Sequence, residues 1–339
     1  MSHSVVIGGA GFVGSWIVDE ILKNPEAKVT VVDNLLSSER WNISRDPRVF
    51  FIEGSASELS TFMNIESPVQ YIYQLACFHG NQSSIARPLD DLENGLKTTL
   101  VTLEWMKLNH PNARLIYSGA GCALAEKTWD SPLPVGEIDN VGLLQDSPYS
   151  ISKISGEMYC LYYAKQFNLD IVRVRFQNIY GPREILGAGQ WRGTINTVWR
   201  NVVPTLIYKA LKNDDIQIYG SNPSRDFTYV GDVSRLVVEL ASSGKTAEVY
   251  NIASEEEVFI SDLASKIIQM TNSNSKVLNE EKRHWDNSGR RIGGNQKLAE
   301  FLNLKPTVPL DVGLAATIKW TRKNLVEIEK SISKFVDLL

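Results

Sequence analysis

The residues Val5-Val6-Ile7-Gly8-Gly9-Ala10-Gly11-Phe12-Val13-Gly14 set the fold class. Apolar residues typical of a buried strand lead into glycines at positions 8, 11 and 14, and an amphipathic helical pattern follows. In such a turn the first glycine permits the tight bend, the second lets backbone amides approach a pyrophosphate, and the third lets the helix pack on the strand. The positive end of the helix then faces the phosphate charge. The pattern predicts a dinucleotide-binding turn, although glycines alone also fit an ordinary strand–helix connection. Its expected contact residues are Gly8, Gly11, Phe12, Val13 and Gly14.

An acidic residue at the end of the second predicted strand indicates which dinucleotide is bound. Residues 28–32 have a strand pattern and end in Asp33, about 20 residues after the glycine turn. A carboxylate there accepts both ribose hydroxyls of an adenosine and repels a 2′-phosphate, so NAD is favoured over NADP. The alternative is that Asp33 only caps the turn that follows it. Further cofactor contacts are predicted at Asn34, Ser55, Ala56, Leu75 and Ala76.

The rest of the chain extends this pattern to a whole fold. Apolar strands are predicted at 4–7, 28–32, 49–52, 71–75, 114–117 and 171–176, and helices at 11–23, 90–109 and 149–167. Strands of continuous apolar character separated by helices require a parallel sheet covered on both faces. The sequence therefore predicts an α/β protein with a Rossmann-type, doubly wound parallel sheet. Residues 1–180 would form the NAD-binding domain and 181–339 a smaller C-terminal α/β substrate domain, with some exchange of chain between them.

Composition excludes several other classes of protein. Lys and Arg number 35 against 39 Asp and Glu in 339 residues, which argues against a nucleic-acid partner. The cysteines, at 77, 122 and 160, are odd in number and widely spaced, so we expect no disulfide framework and no metal site. Cys77 and Cys160 are predicted core residues. With no apolar run of about 18 residues and no signal-like opening, we expect a cytoplasmic protein without a membrane span.

A tyrosine and a lysine four residues apart suggest chemistry. Tyr149 and Lys153 open the helix after the fifth strand, and the i, i+4 spacing puts both side chains on one face. The spacing alone is common on protein surfaces. Beside NAD⁺, however, the Lys153 ammonium would stabilise a phenolate and lower the tyrosine pKa from its usual value of about 10. Tyr149 is therefore a candidate general base, with Lys153 as its partner.

Taken together, these motifs resemble the extended short-chain dehydrogenases/reductases, specifically the NAD-dependent nucleotide-sugar epimerase/dehydratase family. The resemblance covers nearly the whole chain, with matching motifs at 8–14, 32–35, 149–153, 175–182, 218–220, 225–233 and 250–253. It implies a UDP-, dTDP-, GDP- or CDP-sugar substrate, of which we favour a UDP-sugar. It also implies a homodimer formed through a four-helix bundle that includes the helix at 149–167.

The resemblance extends to individual substrate-binding residues. Four residues match positions that contact the diphosphate of the nucleotide sugar: Asn178, Asn201, Arg225 and Arg283. Guanidinium groups suit this role because they pair with phosphate through two parallel hydrogen bonds. Arg290 and Arg291 are close enough in sequence to compete for the role of Arg283. Asn94 resembles the asparagine that supports the catalytic lysine through water, and a solvent-exposed helical asparagine is the alternative.

The sequence departs from the family pattern after the fifth strand. Ala120 occupies the place of a Ser or Thr that hydrogen-bonds the substrate oxygen, and Ser118 is the candidate replacement. Loss of one neutral donor would cost about 1–3 kcal/mol in the transition state. Cys122 stands where 4,6-dehydratases carry Glu and GDP-mannose 3,5-epimerases carry Cys, so it is a candidate acid/base, with a buried core thiol as the alternative. Arg192 lies in a loop similar to that of the 3,5-epimerases and could bind a substrate carboxylate.

Three hypotheses about function follow. The first is C4 epimerisation of a nucleotide sugar through a 4-keto intermediate, with Tyr149 as the base. The second is a dehydratase or 3,5-type epimerase that passes through the same intermediate and uses Cys122 on a neighbouring ring carbon. The third, suggested by Ala120, is a protein that binds NAD and a nucleotide sugar without catalysis.

Overall fold

The structure is a computed structural model that describes residues 2–66, 68–78, 80–121, 130–139, 141–190, 198–199, 201–283, 286 and 289–336. Its strands, in chain order, are β1 Ser2–Ile7, β2 Ala27–Asp33, β3 Val49–Glu53, β4 Tyr71–Gln74, β5 Arg114–Ala120, β6 Asp170–Phe176, β7 Asn178–Tyr180, β8 Ile216–Tyr219, β9 Ser224–Tyr229, β10 Val249–Ile252, β11 Glu257–Phe259 and β12 Val277–Glu280. Its helices are α1 Phe12–Ile21, α2 Asn81–Ala86, α3 Pro88–Asp91, α4 Lys97–Asn109, α5 Pro148–Gln166, α6 Val202–Lys212, α7 Val230–Ser243, α8 Ile260–Thr271, α9 Gln296–Leu302, α10 Leu310–Lys323 and α11 Leu325–Ser333.

The largest sheet of the described residues has seven strands in the order β10-β6-β5-β4-β1-β2-β3. Every neighbouring pair in it is parallel. The direction of winding reverses between β1 and β4, and in such sheets ligands bind at the carboxyl ends of the strands beside that reversal. The predicted Rossmann-type sheet is therefore confirmed, and its topology places a site at the end of β1, where the glycine turn begins.

Helices cover both faces of this sheet, as its buried apolar strands require. On one face Ile17 of α1 and Leu236 of α7 belong to a single hydrophobic cluster with strand residues. On the other face Leu103 of α4 and Ala164 of α5 do the same. The predicted helix at 90–109 is divided: α3 is followed by a π-helical segment, Leu92–Leu96, and then by α4. Helix α2 was not predicted.

Two smaller sheets lie in the C-terminal part of the described chain. One has the order β11-β9-β7 and the other pairs β12 with β8. A third hydrophobic cluster joins these strands to α6, α8 and α10. Strand β10 returns to the large sheet beside β6. The division into two domains at residue 180 stays a prediction. Within the described ranges, every helix is too short or too polar to cross a membrane.

Candidate active site

A cleft of about 530 Å³ lies at the carboxyl ends of the central strands. Its volume is in the usual range for a small-molecule site. We call its two sides the cofactor half, lined by the β1–α1 turn and the ends of β2 and β4, and the arginine half, lined by residues of and near β7, β8, β9 and α6. Tyr149, Lys153, Ala120 and Gln177 line the same cleft.

The glycine turn has the shape that a pyrophosphate needs. Gly8 has φ +84°, and a Cβ atom there would lie 2.8 Å from the backbone nitrogen of Ala76. A Cβ atom on Gly14 would lie 2.2 Å from the carbonyl oxygen of Gly8. Helix α1 begins at Phe12 without a side-chain cap, and Gly11, Phe12, Val13 and Gly14 all line the cleft. The first-turn amides of a helix lack intrahelical partners, so this backbone can bind the phosphates of a dinucleotide.

Asp33 lies at the end of β2 in the wall of the cofactor half. Its Oδ2 accepts a hydrogen bond from the Ala10 amide at 3.0 Å, and its Oδ1 accepts from the Leu35 amide at 2.9 Å and from Ser38 Oγ at 2.7 Å. Burial raises the pKa of this carboxyl, and the hydrogen bonds oppose that effect. Asp33 thus caps the following turn and also borders the cleft, so the two sequence interpretations are compatible.

The other predicted cofactor contacts differ in their placement. Asn34, Ala56, Leu75 and Ala76 line the cleft. Ser55 is not among the lining residues that the structure describes, and its Oγ is 2.9 Å from Ser57 Oγ, so its contact with the cofactor stays a prediction.

The two described cysteines lie in different environments. The prediction that Cys77 is a core residue is wrong: it is half-buried and lines the cleft, three residues after the end of β4. The same prediction is confirmed for Cys160, which is fully buried on the inner side of α5 and whose thiol pKa is raised by that burial.

The predicted Tyr–Lys pair faces the cleft. Helix α5 begins with Pro148 in its first turn, and Ser147 Oγ caps it by accepting from the Ser150 amide at 3.3 Å. Lys153 is buried, and its Nζ donates to the Ser118 carbonyl oxygen at 2.8 Å and to Ser118 Oγ at 3.2 Å. Tyr149 is half-buried, one helical turn before it. Both side chains line the cleft that Gly8 and Asp33 line.

Buried contacts that the sequence did not predict hold this helix in place. Tyr117 Oη donates to the Lys153 carbonyl oxygen at 3.0 Å. Ser152 Oγ donates to Asp91 Oδ2 at 2.6 Å. Burial raises the pKa of Asp91, and Ser152 and the charge of Lys153 act against that rise. One turn later, the buried Glu157 carboxylate accepts from Arg175 Nε at 2.9 Å. Helix α5 is therefore fixed against both β5 and α3, which fixes the reactive pair.

The departure at Ala120 is visible in the structure. Ala120 is buried at the end of β5 and presents only a methyl group to the cleft. Ser118 shares the same face of the strand, two residues earlier, because side chains alternate along a strand. Its hydroxyl, however, lies within hydrogen-bonding distance of Lys153 Nζ. A role for Ser118 in substrate contact stays a prediction.

The predicted diphosphate-binding residues all reach the arginine half: Asn178, Asn201, Arg225 and Arg283. Arg225 Nη1 donates to the Ser224 and Gly289 carbonyl oxygens at 2.6 and 2.7 Å. The Arg283 guanidinium lies 3.8 Å from the centre of the Tyr219 ring. Stacking of this kind orients a guanidinium.

The competing arginines are separated by their contacts. Arg290 forms two hydrogen bonds with the Glu257 carboxylate, both at 2.8 Å. Arg291 is buried and lines the cleft, which makes it the better candidate beside Arg283. Arg183 also lines the cleft and was not predicted; its guanidinium pairs with Asp19 at 2.5 Å. Cys122 and Arg192 lie outside the described residues.

A comparison with protein-family models identifies the family. The model of the NAD dependent epimerase/dehydratase family matches residues 4–253. The chain belongs to this family. The family expected from the motifs is therefore confirmed, and so is NAD as the cofactor, since the glycine turn and Asp33 offer the groups that it needs.

Relatives within the family carry out different reactions. The Bordetella bronchiseptica enzyme WbmF, solved in complex with NAD⁺ and UDP, is 44% identical, with 98% of this chain and 96% of that chain covered and a TM-score of 0.85. A putative UDP-glucose 4-epimerase from Methanocaldococcus jannaschii is 28% identical over 94% of this chain and 98% of its own length. A UDP-N-acetyl-alpha-D-glucosaminuronate decarboxylase from Bacillus cytotoxicus is 27% identical over 94% and 97%. Family membership therefore leaves the reaction open.

Proposed function

We propose that the protein is an NAD-dependent nucleotide-sugar epimerase that inverts C4 of a UDP-sugar. The observation that carries the proposal is that Tyr149 and Lys153 line the same cleft as the Gly8 turn and Asp33, with the Lys153 ammonium held by Ser118. The relative solved with NAD⁺ and UDP and the putative UDP-glucose 4-epimerase support the choice of substrate.

Each residue has a defined task in this reaction. The Lys153 ammonium stabilises the phenolate form of Tyr149 one turn away. That phenolate removes the proton from the C4 hydroxyl and becomes a neutral phenol. When bound, NAD⁺ supplies a hydride acceptor that later returns the hydride to C4. The arginine half holds the diphosphate through Arg225 and Arg283, so that the 4-keto sugar can turn and present its other face. Tyr149 then gives the proton back to the new C4 oxygen.

The experiment that tests this proposal is Tyr149→Phe, with Tyr159→Phe on the exposed side of α5 as the matched control. We expect Tyr149→Phe to lower kcat with UDP-glucose by about 1,000-fold, because a general base contributes on the order of 10²–10⁴. The control should keep the activity of the unmodified protein. Normal turnover by Tyr149→Phe would contradict the role of Tyr149. If no UDP-sugar transiently reduces the bound cofactor, the non-catalytic hypothesis is favoured instead.

A second candidate is a dehydratase or a 3,5-type epimerase. The decarboxylase among the relatives supports it, because its name shows that the relatives of this chain are not confined to C4 inversion. In that case Cys122 would remove a proton from a carbon next to the 4-keto group. Turnover in deuterated water separates the two reactions. Pure C4 inversion leaves the ring C–H positions unlabelled, whereas Cys122 chemistry introduces deuterium at C3 or C5.

We also propose that the protein is a homodimer through α5. Ile151, Met158 and Tyr162 are each more than half exposed and follow the i, i+7, i+11 spacing of one helix face. Leu89 and Leu92 add exposed apolar surface on the neighbouring segment. A patch of this size on a helix pair suits a second copy of the chain. Light scattering should give a dimer mass, and Met158→Glu should shift it towards the monomer; a monomeric starting protein would contradict this proposal.

A further inference from the structure

The reaction end of the cleft lacks one hydrogen-bond donor on β5. Ala120 contributes a methyl group there, and Ser118 Oγ, two residues earlier, accepts a hydrogen bond from Lys153 Nζ. A sugar oxygen that gives up its proton to Tyr149 gains negative charge, and a second donor beside it would stabilise that charge. A side chain from another segment can supply this donor at the position of Ala120.

The side chain of Gln177 lies at this position. Gln177 follows β6 directly, and the last residue of β6, Phe176, pairs with Ala120 across the sheet. The Gln177 side chain lines the cleft and is only 6% exposed. Its backbone amide donates to the Ile252 carbonyl oxygen, but its side-chain amide has no hydrogen bond to any residue that the structure describes. Because Gln177 lies in the cleft wall, this amide can donate a hydrogen bond to a ligand there.

Two glycines leave the space that this amide occupies. A Cβ atom on Gly121, the residue after Ala120, would lie 2.5 Å from Gln177 Nε2. A Cβ atom on Gly293 would lie 2.5 Å from the same nitrogen. Any larger residue at either position would displace the amide. The glycines therefore leave room for the amide next to Gly121, the residue that follows the end of β5.

We propose that Gln177 is a catalytic residue whose side-chain amide donates a hydrogen bond to the reacting sugar oxygen, in place of the hydroxyl that Ala120 lacks. This inference rests on the proposed function, since it names a further residue of the same site. An amide stays neutral at every working pH, so it cannot replace Tyr149 as the base. It stabilises charge on the oxygen, and its contribution grows in the transition state.

The first test is Gln177→Met, which keeps the length of the side chain and removes the amide. Gln166→Met, at the exposed end of α5, is the control for replacing a glutamine by a methionine. With UDP-glucose we expect kcat to fall by about 10- to 100-fold in Gln177→Met and to stay unchanged in the control. Wild-type kcat in a folded Gln177→Met protein would overturn the proposal. If Gln177→Met does not fold, Gln177→Leu, which also lacks the N–H donor, must show the same loss.

The second test restores the missing hydroxyl. Ala120→Ser alone should change kcat by less than about 3-fold, because the amide already supplies a donor. In the Gln177→Met background, Ala120→Ser should recover about 10-fold of the lost kcat. If the double variant is no faster than Gln177→Met, the amide does not stand in for that hydroxyl and the proposal is wrong.

A binding experiment separates this proposal from the proposed reaction. Calorimetry with UDP and with UDP-glucose should show that Gln177→Met keeps its affinity for UDP and loses about 5- to 10-fold for UDP-glucose. If the affinities change in this way but the wild-type protein does not turn over UDP-glucose, C4 epimerisation is wrong and the Gln177 contact is still supported. In the opposite outcome, the wild type turns over, and Gln177→Met has the same UDP-glucose affinity and the same kcat as the wild type. That outcome would support the epimerase and overturn the Gln177 contact.

Discussion

In the cofactor half of the cleft the groups that face a ligand are mostly backbone amides, whereas in the arginine half they are long side chains. The cofactor half is formed by the turn between β1 and α1 and by the residues at the ends of β2 and β4. The arginine half brings Asn178, Arg225 and Arg283 together from separate elements. Backbone sites tolerate few changes in the turn because an added Cβ atom has nowhere to go. In a site made of side chains, a substitution removes one contact and leaves the others. We therefore expect single substitutions to weaken ligand binding more in the cofactor half than in the arginine half.

The largest loss of activity is expected on substitution of Lys153, which lines the cleft together with residues of both halves. Lys153→Met removes the ammonium that Ser118 holds, so the phenolate of Tyr149 loses its stabilising charge. We expect kcat to fall about 1,000-fold and the rising limb of the pH–rate profile to move to higher pH. Steady-state rates across pH measure both. Lys165→Met, exposed on the same helix, is the control, and a Lys153→Met protein with unchanged kcat would show that the pair is only structural.

The next largest effect is a loss of NAD affinity on substitution in the cofactor half alone. Gly14→Ala places a Cβ atom 2.2 Å from the Gly8 carbonyl oxygen, so the turn must move. We expect NAD affinity to fall about 100-fold, since overpacking against backbone costs about 3 kcal/mol, while UDP affinity stays the same. Gly142→Ala is the control, because a Cβ atom there meets no atom within 4 Å. Equal losses for NAD and UDP would show that the two halves are not independent.

A smaller, pH-dependent effect is expected at Asp33. Burial raises the pKa of its carboxyl, so protonation begins at a higher pH than for an ordinary aspartate. As the pH falls through that raised pKa, the ribose hydroxyls lose their acceptor and NAD binding weakens; above it, binding is constant. In the apo protein the sign for stability is opposite, because a raised folded-state pKa makes the contribution of Asp33 decline as the pH rises.

Asp33→Asn tests this directly. The variant should bind NAD about 10-fold more weakly near neutral pH, the value of one hydrogen bond to a charged group. Its affinity should then vary less with pH between about 4 and 7 than that of the unmodified protein. Fluorescence titration with NADH measures both quantities. Parallel pH curves for the two proteins would assign the dependence to another group.

The contrast between the halves also explains what could be predicted from sequence. The glycine turn and the Tyr149–Lys153 pair are local patterns, so their spacing, together with their position among the predicted strands and helices, located them. The residues of the arginine half lie far apart in sequence, and only the family resemblance named them. Contacts such as Ser152 with Asp91, which are 61 residues apart, have no local signal at all. The π-helical segment Leu92–Leu96 was missed for the same reason: helical periodicity does not reveal one extra residue in a turn.

The smallest effect is expected at Cys77, which sequence reasoning placed in the core together with Cys160. Cys77 lies in the cleft wall of the cofactor half, so Cys77→Ser should change stability by less than about 0.5 kcal/mol. Cys160 is surrounded by apolar side chains, and Cys160→Ser should lower the free energy of unfolding by about 1–3 kcal/mol because it buries a hydroxyl.

Iodoacetamide labelling with peptide mapping adds a second measurement of the two cysteines. Cys77 should react in the apo protein and be protected by NAD, whereas Cys160 should react only after unfolding, because burial raises its pKa and hides the thiol. If NAD leaves the labelling of Cys77 unchanged, the cofactor half does not extend to the end of β4, and the boundary between the two halves must be drawn closer to the glycine turn.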